Sequence, residues 1–76
     1  MNMIFQVGEP VRVTSYSPFR GLRGTVRKVD AVAHREESYS EEPFYFYLVT
    51  LEGSQIKEPV WFENQEVESL LSVDRV

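Results

Sequence analysis

Covalent chemistry needs a nucleophile, a base or a metal held in place. This 76-residue chain has one histidine, His34, and no cysteine. His34 stands beside Arg35, Glu36 and Glu37, a setting that suits a solvated side chain far better than a general base. The carboxylate pairs Glu36-Glu37 and Glu41-Glu42 lack the glycine and the alternating Asp/Asn ligands of a calcium loop, so they read as a solvated acidic tip. "GLRG", residues 21–24, has neither the lysine-serine pair nor the dinucleotide spacing of a phosphate cradle. The sequence therefore points to a non-enzymatic chain with no cofactor and no metal.

Binding chemistry is better represented. In "PFRGLRGTVRKVD", Pro18 to Asp30, Arg20 and Arg23 flank a tight glycine-bearing loop, Arg27 and Lys28 follow on the next strand, and Arg12 lies nearby. With Phe19 these residues form a candidate protein-binding edge. The edge is conspicuous because charge is uneven: residues 1–35 carry +4 and residues 36–76 carry −8, for a net charge of −4. An acidic whole repels phosphates at long range, yet a local basic patch steers an acidic partner over about 8 Å at physiological salt. The plainer reading is that outward strand positions simply need polar side chains. Phe44 and Phe46, left on the outward side, are either covered by the long loop at 33–43, the favoured reading, or form a second candidate, an aromatic contact patch. Trp61 and Phe62 are adjacent on a strand, so one of them faces inward.

These residues depend on β-elements. "EPVRVTSY" alternates Val11 and Val13 with Arg12 and Thr14, the period of a half-buried strand. "SYSPFRG" is a loop in which Tyr16 and Phe19 are placed to cap the core. In "LRGTVRKVDAV" the three-residue spacing of Val26 and Val29 predicts a bulge or bend near Arg27 and Lys28, which returns both valines to the core. Gly21 and Gly24 are expected as turn and close-approach residues. "FYFYLVTL" carries Tyr45, Tyr47, Val49 and Leu51 on one face and Phe44, Phe46 and Leu48 on the other. "EGSQ" turns the chain, "IKEPVWF" is a strand with Pro59 at its edge or bulge, and a short turn near Glu63 to Glu66 precedes Val67 and Leu70.

The whole reads as one domain over residues 1–76, with a core spanning about 5–70, a flexible acidic loop at 33–43 and a tail at 71–76. So short a chain buries only about 60% of its unfolded surface. The absence of cysteine suits a reducing compartment, with the cytoplasm as the expectation. No segment approaches the roughly 20 apolar residues of a membrane-spanning helix.

Three motifs together resemble small SH3-like barrels. "FQVGEPVRV" is similar to the opening of such barrels, "GLRGTVRKV" to the KOW-type element, and "WFENQEVESL" to the closing segment of accessory barrels in photosynthetic electron-transfer complexes. Those accessory barrels are the photosystem I accessory subunit, the variable chain of ferredoxin–thioredoxin reductase and the ferredoxin-docking subunit of the NDH complex. The resemblance implies an all-β, SH3-like barrel of four to five antiparallel strands with a short 3-10 turn near the C-terminus. It also implies a cyanobacterial or plastid setting, peripheral to a thylakoid complex.

The functional expectation is a non-catalytic protein-binding or complex-accessory module that docks an acidic protein or multisubunit complex through Arg12, Phe19, Arg20, Arg23, Arg27 and Lys28. A KOW-like RNA- or ribosome-associated domain is the alternative, with nucleic acid the weaker partner. A homo-oligomer contact through Phe44 and Phe46 is the third.

Overall fold

Alternation of inward and outward side chains is clearest in Pro10–Val13 and in the second half of Phe44–Leu51. The computed structural model describes residues 4–32 and 44–71. Strand β1, Pro10–Val13, buries Val11 and Val13 and leaves Arg12 on the opposite face. β2 runs from Arg23–Val32, β3 from Phe44–Leu51, β4 from Val60–Glu63 and β5 from Val67–Ser69, with a 3-10 turn at Asn64–Glu66 between the last two. All neighbouring pairs are antiparallel.

The sheet is open. Its order is β4-β3-β2-β1-β5, so β4 and β5 are its two edges, and no ladder joins them among the described residues. This corrects the expectation of an SH3-like barrel. The likeness to KOW-type domains and to the photosynthetic accessory barrels, which rested on that barrel, falls with it. The physical reason lies in what the motifs encode. A glycine turn, an alternating strand and a bulge are local features, whereas barrel closure needs the two edge strands to pair with a consistent stagger. Here β5 is three residues long, follows β4 after a single turn, and spends its ladder on β1. The all-β class, the five strands and the position of the 3-10 turn agree with the sequence.

One face of the sheet carries the core. Val11, Val13, Val26, Tyr47, Val49, Leu51, Phe62 and Val67 are buried there with Phe5, and Phe19, Leu22, Tyr45 and Val60 pack against them. Phe5, Phe19 and Leu22 come from outside the strands, so the N-terminal segment and the β1–β2 loop help to cover this face. Phe19 meets Phe62 edge to face at 6.0 Å, and Phe5 lies 5.0 Å from Tyr47.

The expected bulge is present. Val26 pairs with Val49 but Lys28 pairs with Leu48, leaving Arg27 as the extra residue of β2. Val29 is thereby returned to the core face opposite Tyr47, at a margin where it is 37% exposed. The two glycines divide their expected roles. Gly21 turns the chain with φ of +90°, while Gly24 lets β3 approach so closely that a Cβ would sit 2.5 Å from Val49 Cγ1 and 2.6 Å from the Thr50 carbonyl oxygen.

The expected flexible segment 33–43, including His34 and both glutamate pairs, lies outside the described residues, as do residues 72–76 of the tail.

Candidate functional site

Residues directly opposite in a ladder share a face, so the register lays out the outward side of the sheet row by row. At one end Glu68, Arg12 and Arg23 stand abreast on β5, β1 and β2. Pro10, Thr25 and Thr50 form the next row. Beyond the bulge come Lys28, Leu48 and Trp61, then Asp30, Phe46 and Glu63, and finally Val32 beside Phe44. The outward face is thus cationic toward one end and apolar toward the other.

The β1–β2 loop adds to the cationic end. Gly21 N–H donates to the Val13 carbonyl at 2.8 Å, and Val13 N–H donates to the Leu22 carbonyl at 2.9 Å, which ties the return of the loop to the end of β1. Inside it, Arg20 N–H donates to the Ser17 carbonyl at 3.0 Å, and Phe19 N–H donates to Ser17 Oγ at 3.2 Å. This folding turns Phe19 toward the core and leaves Tyr16 94% exposed. The Arg20 guanidinium sits 5.5 Å from the centre of the Tyr16 ring, within the range of a cation–π contact.

The sequence-derived residues therefore separate into groups. Arg12 and Arg23 face each other across the ladder at the end of the sheet from which the β1–β2 loop, carrying Arg20, departs. Arg27 and Lys28, both exposed, lie roughly 13 Å farther along β2 at about 3.3 Å per residue. Phe19 packs on Phe62 and is committed to the core. Phe44 is 51% exposed and Phe46 half-buried, both on the outward face. Of the adjacent aromatics on β4, Phe62 is in the core and Trp61 is 47% exposed outside.

Two features escaped the sequence reading. Tyr16 was expected to cap the core and instead carries Arg20 in solvent; the four-residue spacing of the two within a tight loop is the only trace of this in the sequence. Leu48 and Trp61 belong to one row with Lys28, which becomes visible only once the register is known.

The hydrogen-bonded groups nearest the core are structural in character. Tyr47 Oη accepts from Phe5 N–H at 3.2 Å and donates to Asn64 Oδ1 at 2.8 Å. Burial pushes the Tyr47 phenol above its ordinary value, against the lowering influence of the Phe5 amide. Glu9 accepts from Gln6 N–H at 2.8 Å and from the Ser69 hydroxyl, joining the N-terminal segment to β5. Glu66 Oε1 accepts from Glu63 N–H at 2.8 Å and so braces the 3-10 turn. Among the described residues no group of three His, Cys, Asp or Glu side chains is placed to hold a metal. None of the helices found among them could cross a membrane.

Compared with known protein families, curated proteins and solved structures, the chain matches none of them.

Proposed function

We propose that this chain is a non-catalytic protein-binding module that docks an acidic partner at the junction of the β1–β2 loop and the sheet. Arg12, Arg20 and Arg23 supply the charge. The observation that carries this reading is the exposed Tyr16–Arg20 pair in the β1–β2 loop, at the same end of the sheet as the opposed Arg12 and Arg23. Tyrosine and arginine are the residue types that dominate binding energy at protein interfaces. A planar guanidinium also grips a carboxylate through two parallel hydrogen bonds. Arg27 and Lys28 extend the positive field along β2 and act on encounter more than on the final contact.

RNA binding is a second reading, favoured by the same Tyr16 ring, which offers a stacking surface for a base. The net charge of −4 opposes it.

The test begins with capture of a partner from native extract, followed by association kinetics over a range of ionic strength. Arg20→Glu combined with Arg23→Glu should slow association at low salt and flatten its dependence on ionic strength, because charges at an interface rim act on the on-rate and less attraction is left for salt to screen. Arg27→Glu should have a smaller effect. If the double variant is folded and associates at the wild-type rate, the site is elsewhere. Binding to single-stranded RNA with a steep salt slope, lost in the double variant, would replace the first reading by the second.

A further inference from the structure

The apolar end of the outward face is separate from the docking junction and has its own charge pattern. An antiparallel sheet with one buried face ordinarily presents polar side chains on the other. Here Leu48 and Phe46 occupy successive outward positions of β3, with exposed Trp61 on β4 beside Leu48 and exposed Val32 on β2 one row beyond Phe46. On β2 the exposed Lys28 lies beside Leu48 and the exposed Asp30 beside Phe46. The two charges are thus opposite in sign, two residues and about 7 Å apart, along one side of the apolar pair.

We infer that this face binds a second copy of the chain in a two-fold, face-to-face dimer. The symmetry axis would lie in the face, run across the strands, and pass between the Lys28–Leu48–Trp61 row and the Asp30–Phe46–Glu63 row. Such an axis exchanges the two rows. Lys28 of each copy then meets Asp30 of the other, and Leu48 of each meets Phe46 of the other. A two-fold interface must be self-complementary, and a lysine and an aspartate placed on either side of the axis, along one side of the apolar pair, meet that condition twice. An unrelated partner would not require the pattern to match its own inverse.

Sedimentation equilibrium of the full chain tests this. The average mass of the wild type should rise from the 8.9 kDa of one chain toward twice that value as concentration rises to roughly 0.5 mM, where a dissociation constant of about 1 mM already puts about a third of the chains in dimers. Lys28→Asp and Asp30→Lys should each weaken the dimer at least about tenfold, since each sets like charges against one another. The combined exchange, Lys28→Asp with Asp30→Lys, should restore it. Chemical-shift dispersion confirms that each variant is folded, and Leu48→Thr supplies an independent break at the apolar centre if either charge variant is not. A wild type that stays monomeric throughout overturns the inference and leaves the face to a different protein. A dimer indifferent to both single charge changes, or one not rescued by the exchange, also overturns it.

Discussion

Arg12 and Arg23 stand directly opposite one another across the β1–β2 ladder, with Glu68 on the other side of Arg12. Like charges in direct opposition destabilise a sheet by a few tenths of a kcal/mol, and an adjacent carboxylate offsets this. Arg23→Gln should therefore leave stability unchanged or raise it by about 0.5 kcal/mol at low salt, with the gain fading as salt is added. Glu68→Gln should lower it by a similar amount, because it leaves the two arginines facing each other without relief. Urea unfolding of both variants at two ionic strengths measures these differences. A marked loss on Arg23→Gln would mean that the arginine is there for the fold and not for a partner.

Tyr47 links the N-terminal segment to the 3-10 turn through its hydroxyl, which receives from the Phe5 amide and donates to Asn64. Tyr47→Phe leaves both partners without that bond and should cost about 1–3 kcal/mol. The pH dependence has a definite sign. Burial raises the folded-state pKa above 10.0, so the folded protein holds this proton more tightly than the unfolded chain does. The associated stability is complete below pH 10 and is lost as pH rises through the raised folded value. Unfolding curves at increasing pH should show the gap between wild type and Tyr47→Phe narrowing above pH 10, and a constant gap would contradict the assignment.

Gly24→Ala should be severe for its size. The new methyl would meet Val49 Cγ1 at 2.5 Å and the Thr50 carbonyl oxygen at 2.6 Å, and the second of these belongs to the backbone of β3 and cannot rotate away. A loss of about 1–3 kcal/mol is expected from such overpacking, a large share of what a domain this small can spare. Thermal and denaturant midpoints measure it directly.

The extra residue of the bulge can be removed without changing any pair around it. Deleting Arg27 places Lys28 directly after Val26, which preserves Val26 opposite Val49, Lys28 opposite Leu48 and Val29 opposite Tyr47. The deletion should give a folded protein that keeps its core, whereas deleting Asp30 displaces the remaining β2 pairs by one position and reverses the faces beyond it. Amide spectra of the two deletion variants should differ accordingly. An unfolded Arg27 deletion would show that the local twist of the bulge is itself required.

Much of this protein was legible in short range. The period-two rows of β1 and β3, the opposite facing of Trp61 and Phe62, and the bulge demanded by Val26 and Val29 are all properties of a few neighbouring residues. Sterics and burial act over that distance, so residue order alone determines them. Barrel closure was misjudged because it depends on the pairing of distant edges, and no local motif specifies whether β4 and β5 will meet. Tertiary structure alone decided the make-up of the outward surface. The ladder set Arg12 against Arg23 and left Arg27 in the bulge, the loop left Tyr16 exposed under Arg20, and the register set Lys28, Leu48 and Trp61 in one row. The position of a side chain on a sheet is fixed by its partners across the ladder as much as by its neighbours along the chain. A shift of one residue in pairing would have produced a different surface from the same sequence.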